Sequence, residues 1–153
     1  MSEYKLIGHE TYLEKFVTLY ENNELPNKIL LSGKKGIGKS LLTEKFLYKI
    51  FSSNNDNELI KNKSHPNILN IKKNNEKKNI EIDQIREIIK FTNQSSFNNK
   101  SRFIILDDVE FLNISSLSLL ELKILYKNFS VSNDFQIPFL PDNKILFGSS
   151  LFS

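Results

Sequence analysis

The chain has 153 residues, 39% of them hydrophobic and 25% charged, enough apolar content for one core and one domain. It has no cysteine, which excludes a disulfide framework and a thiolate zinc site. It also has neither an apolar run of membrane-spanning length nor a secretory-signal layout, so no membrane association and a cytoplasmic location are expected. The net charge of +3 says little about nucleic acid: arginine occurs only at Arg86 and Arg102 against 19 lysines, and alanine is absent, which reads as AT-rich coding bias rather than as a phosphate-binding surface.

Over residues 10–25, Leu13, Phe16, Val17 and Tyr20 recur at three- and four-residue steps and predict an amphipathic helix that ends near Leu25-Pro26. Residues 28–31 are an apolar run of strand length. The next stretch, Gly33-Lys34-Lys35-Gly36-Ile37-Gly38-Lys39-Ser40, fills every fixed position of the phosphate-loop pattern G-x-x-x-x-G-K-[ST]. Leu42, Phe46 and Ile50 then follow at helical spacing. A strand, the loop and a helix in that order favour a nucleoside triphosphate site over a chance Gly/Lys turn. The glycines let the backbone turn tightly and aim N–H groups at phosphate oxygens, and the helix offers its positive end. Lys39 would reach the β- and γ-phosphates, and the Ser40 hydroxyl would ligate Mg²⁺.

Residues 52–63 are polar and Asn-rich and read as a surface loop, and residues 67–71 as a second strand. Residues 72–78 form a solvated charge run with no function of its own. Asp83 is the expected cap of a helix carrying Ile85, Ile88 and Ile89, with Ile82 as a staple residue, and residues 93–100 close it with turn-formers. Residues 102–106 are the strongest buried strand and end on Asp107-Asp108. Strands alternating with helices predict a parallel sheet covered on both faces. Ligands of such sheets sit beyond the carboxyl ends of the strands. Asp107 is therefore placed to hold Mg²⁺, and Asp108 to polarise an attacking water, one methylene shorter than the glutamate many such ATPases use. Glu110 is a weaker candidate acid, expected to cap or face solvent. His9 and His65 lack metal-ligand spacing and read as turn or surface residues.

Four segments together resemble one family: Leu6-Ile7-Gly8-His9-Glu10, Lys34 to Ser40 after an apolar strand, Ser64-His65-Pro66-Asn67, and Ile80-Glu81-Ile82-Asp83-Gln84-Ile85-Arg86. They resemble the AAA+ clamp-loader ATPases of bacterial DNA replication, with the delta-prime type most similar, over roughly residues 1–118. The resemblance implies a three-layer, parallel-sheet P-loop NTPase of the AAA+ type. It implies ATP and Mg²⁺ as ligands, with the backbone of Ile7 and Gly8 against adenine. The phosphates would be held by Gly33, Lys34, Lys35, Gly36, Ile37, Gly38, Lys39, Ser40 and Leu41. Ser40 and Asp107 would serve the metal and Asp108 the chemistry. Its partners would be other clamp-loader subunits, the sliding clamp, and primed DNA through the complex.

The departures carry their own expectations. The phosphate loop is intact although many delta-prime subunits have a degraded one, and the zinc cysteines that many members carry are missing. After Ser118 the family pattern stops, and no arginine follows Arg102. Residues 119–153 read as a divergent or frame-shifted remainder of the same domain, poorly packed, with the lid and collar domains absent and the core C-terminally truncated. The strand that belongs beside residues 102–106 is expected to be missing, which leaves one flank of the sheet unpaired. Hydrolysis by the chain alone is expected to be slow or absent. Competing functions are an independent P-loop ATPase or small-molecule kinase, and a non-hydrolysing interaction module.

Overall fold

The computed structural model describes residues 7–113, 115, 116 and 143–149. The elements run α1 (Glu10–Glu21), β1 (Lys28–Ser32), α2 (Lys39–Ile50), α3 (Asn54–Lys61), β2 (Ile68–Ile71), α4 (Ile82–Thr92), β3 (Arg102–Asp107) and β4 (Asn143–Ser149), with single 3₁₀ turns at Phe97–Asn99 and Val109–Phe111. The four strands form one sheet in the order β1-β4-β3-β2, and every pair is parallel.

Alternation along β3 divides the core. Phe103 and Ile105 face a cluster built from Phe46, Leu47 and Phe51 of the α2 region, Ile60 of α3 and the apolar stripe of α1. Ile104 and Leu106 face a second cluster with Ile85 and Ile88 of α4 and Ile71 and Ile80. A strand buried on both faces reads as an unbroken apolar run, which is what residues 103–106 are. The first cluster is strongly aromatic. The Phe46 and Phe51 rings each meet Phe103 edge-on at 5.8 Å, and Phe16 meets Phe46 edge-on at 6.1 Å, the geometry favoured by ring quadrupoles.

Four expectations need correction. The helix read over residues 10–25 stops at Glu21, because Asn23 takes a positive φ of 59° and turns the chain toward Pro26. Residues 52–63 are not a loop but contain α3: the Ser53 hydroxyl accepts the Asp56 N–H at 3.1 Å as an N-cap, and Ile60 is buried. The cap of α4 is Glu81, not Asp83. Glu81 and Gln84 form a reciprocal capping box, while Asp83 pairs with Arg86 one turn on at 2.6 Å and Ile82 is 39% exposed.

The fourth correction concerns the sheet. The flank beside β3 is not unpaired, since β4 lies between β1 and β3 and pairs with both, from Arg102–Asn143 to Asp107–Gly148 on one side and Lys28–Ile145 to Ser32–Ser149 on the other. Residues 143–149, with the short apolar run 145–147 at their centre, supply the pairing backbone. The break in pattern at Ser118 and the packing expected of residues 119–142 and 150–153 lie outside the described residues.

Candidate functional site

In a parallel sheet all strands leave at one edge, and here the row Leu31, Gly148, Asp107 crosses it. The loop after β1 and the acids after β3 therefore open on the same side, separated by the width of β4. Between them lies a cleft of about 430 Å³ lined by Lys35, Gly36, Gly38, Lys39, Ser40, Leu41 and Thr43, and by Lys72, Asp107, Asp108, Glu110 and Phe111. A smaller hollow of about 140 Å³ shares Ser40, Thr43, Ile105 and Asp107 with it and adds Glu44, Lys63, His65 and Asn70.

The loop depends on its glycines. Gly36 and Gly38 have φ of 86° and 101°, a region that L side chains enter only with strain, and a Cβ on Gly36 would meet no atom within 4 Å. Gly38 is the N-cap of α2, so the N–H groups of Lys39, Ser40 and Leu41 are first-turn donors without helical acceptors, at the positive end of the helix. Lys39 turns back, its Nζ donating to the Gly33 carbonyl at 2.7 Å and the Lys34 carbonyl at 3.1 Å. Both acceptors are neutral, so an anionic ligand is a stronger partner for the ammonium. The Thr43 hydroxyl donates to the Lys39 carbonyl at 3.2 Å.

The Asp107 carboxyl of the cleft is perturbed. Burial, and then the neighbouring Asp108 charge, push its carboxyl above the ordinary 3.8, while Lys63, Lys72 and Lys39 pull it down. Asp108 takes the left-handed conformation (φ 59°, ψ 40°), which Asp tolerates better than most residues. Its carbonyl accepts the Phe111 N–H at 2.9 Å. Among the described residues no three His, Cys, Asp or Glu side chains cluster to hold a metal ion by themselves. A metal at Ser40 and Asp107 would therefore need phosphate oxygens to complete its shell.

Of the candidate residues, the cleft brings together Lys35, Gly36, Gly38, Lys39, Ser40, Leu41, Asp107 and Asp108. Gly33, Lys34 and Ile37 belong to the loop but do not line the cleft. Ile7 and Gly8 lie outside it as well, Ile7 with 80% of its surface exposed. Sequence reasoning missed four features. Lys72, read as part of a solvated run, lines the cleft. Glu110, expected to cap or face solvent, lines it too. His9, read as a turn or surface residue, bonds through Nε2 to the Ile37 carbonyl at 2.8 Å. His65 is buried, its ring 4.4 Å from that of Phe51, with Nδ1 accepting the Asn67 N–H at 3.1 Å and Nε2 3.4 Å from Asp56. The position of Lys72 directly after a strand was the one signal available in the sequence; the histidine contacts span α1 to loop and α3 to β2 and leave no local trace.

A family model described as DNA polymerase III, delta subunit matches residues 8–125, more than three quarters of the chain. No curated protein matches it at a significant level. Among solved structures, the chain is similar to a DNA polymerase III gamma subunit-related protein from Thermotoga maritima, with a TM-score of 0.63 and 18% identity over 90% of this chain. At that identity the likeness is one of fold. The chain spans 38% of the length of that relative. No helix among the described residues is long and apolar enough to cross a membrane.

Proposed function

The chain belongs to the DNA polymerase III delta-subunit family, a clamp-loader family, and we propose that its cleft binds Mg-ATP as the nucleotide-binding core of a delta-prime-like clamp-loader subunit. The observation that carries this reading is the single cleft shared by the phosphate loop and the acids of β3. On this reading the parallel sheet with its helices is a three-layer AAA+ core.

The residues present fit the ligand. Gly36 and Gly38 give the backbone its turn, and the first-turn N–H groups of α2 together with Lys39 hold the phosphates. Ser40 and Asp107 would hold the metal, which would supply positive charge to the phosphates, and Asp108 would orient the nucleophilic water. Bound Mg-ATP supplies a charged γ-phosphate whose loss on hydrolysis changes how the domain docks on its neighbours. Those neighbours are other clamp-loader subunits and the sliding clamp, with primed DNA reached through the complex. Hydrolysis by the chain alone is slow, because the Asp108 side chain is short and no arginine lines the cleft among the described residues; an arginine finger is typically worth about 10³ to 10⁵ in rate.

The test is calorimetric titration of the full chain with Mg-ATP, beside Lys39→Ala shown by circular dichroism to be folded. Saturable binding by the parent and its loss in the variant is the expected result. Equal affinity for the two would remove the basis of this reading.

A further inference from the structure

Positive charge in the cleft comes from lysine. The two arginines of the chain lie elsewhere: Arg86 pairs with Asp83 on α4, and Arg102 is buried at the opposite end of β3, over the Phe91 ring at 3.7 Å and bonded to the Gln94 carbonyl. Lys35 and Lys39 line the cleft from the loop side, and Lys72 lines it from the other side.

Lys72 sits on anchored backbone. Ile71 pairs with Leu106 in parallel register, so Lys72 and Asp107, the next residue of each chain segment, are level with one another. The Lys72 carbonyl accepts the Gln84 side-chain amide at 2.8 Å, and Gln84 is itself held in the capping box that starts α4. Lys73 does not line the cleft: its Nζ donates to the Asn74 and Lys77 carbonyls at 3.2 and 2.9 Å and lies 5.1 Å from the ring centre of Phe111, itself a lining residue.

We propose that Lys72 is a second phosphate-binding lysine, which contacts the terminal phosphate of the nucleotide from the β2 side, across the cleft from Lys39. This rests on the nucleotide reading above. Lys39 on the loop and Lys72 level with Asp107 line the same cleft from opposite sides, so phosphates held by Lys39 would bring their terminal group within reach of Lys72. The cleft needs that cation, since Asp107, Asp108 and Glu110 already face it and a triphosphate adds several negative charges.

The experiment compares the full chain with Lys72→Ala and Lys73→Ala by calorimetric titration with Mg-ATP and Mg-ADP at fixed salt. The variants remove one positive charge each from adjacent positions, the exposed Lys72 and the half-buried Lys73, so they change the long-range field alike, and thermal melts verify that both fold. Lys72→Ala is expected to weaken ATP about tenfold, the scale of one charge-assisted hydrogen bond, and ADP less than about twofold. Lys73→Ala is expected to leave both within about twofold. A Lys72→Ala variant that matches Lys73→Ala, or that weakens ATP and ADP equally, overturns the proposal while the nucleotide site stands. Absence of ATP binding by the parent chain overturns the nucleotide reading itself, and the role of Lys72 with it.

Discussion

The His9 imidazole is hydrogen-bonded through Nε2 to the Ile37 carbonyl at 2.8 Å, across 28 residues of chain. A carbonyl only accepts, so Nε2 carries the proton and the ring latches the segment before α1 onto the phosphate loop. Removing the latch frees the loop to sample conformations that do not bind phosphate. His9→Ala is expected to weaken Mg-ATP about 3- to 10-fold, as for one lost hydrogen bond, with His9→Gln closer to the parent. Calorimetric titration reads this directly, and an unchanged affinity in the alanine variant would show that the loop holds its shape alone.

The loop glycines are required for their backbone rather than for their size. A Cβ on Gly38 would lie 3.5 Å from His9 Cδ2, an ordinary contact, and one on Gly36 would meet nothing. The cost of alanine at either position is therefore the positive φ, about 1–2 kcal/mol each. Both Gly36→Ala and Gly38→Ala are expected to melt a few degrees below the parent. An alanine variant as stable as the parent would show that the loop leaves the positive-φ region at no cost.

Asp107 trades stability for charge at the cleft. Its folded carboxyl titrates above 3.8 because of burial and Asp108, so the folded state binds its proton more tightly than the unfolded state does. Stability tied to this group is present below the unfolded value and is lost as pH rises through the raised folded one. Asp107→Asn is thus expected to melt higher than the parent at pH 7, by a margin that closes as pH falls toward 3.8, while Mg-dependent ATP binding weakens. Melts across pH check the first claim and titration with and without Mg²⁺ the second; a variant less stable at pH 7 contradicts the electrostatic argument.

His65 has the opposite sign. Burial chiefly, with Lys100 adding, holds its imidazole below the ordinary 6.5, while Asp56 opposes them. Protonation would also take Nδ1 away from the Asn67 N–H it now accepts. Stability tied to this group is complete above 6.5 and is lost as pH falls through the depressed folded value. The melting temperature of the parent is expected to fall as pH drops below 6.5, and that of His65→Gln to start lower and fall less over the same range. Parallel slopes would assign the acid sensitivity to other groups.

Features carried by neighbours in sequence were legible from the residues alone. The turn after β1 is one, because Gly36 and Gly38 stand where the backbone takes a positive φ. β3 is another: its unbroken apolar run ending on Asp107 reflects burial on both faces. Local capping chemistry was legible only in part, since Glu81 and Gln84 outcompete Asp83 through a reciprocal pair of bonds that a single-residue preference does not reveal.

What lies across the fold was decided by the tertiary structure. The family match ends at residue 125, yet β4 pairs between β1 and β3, because a strand needs a backbone ladder more than any particular motif. Lys72 reads as one of seven residues in a solvated run until the register sets it level with Asp107. His9 and His65 read as surface residues until α1 meets the loop and α3 meets β2. A sequence records the period and chemistry of each segment, while the distance between segments depends on strand order and register, and these are settled only when the whole core packs.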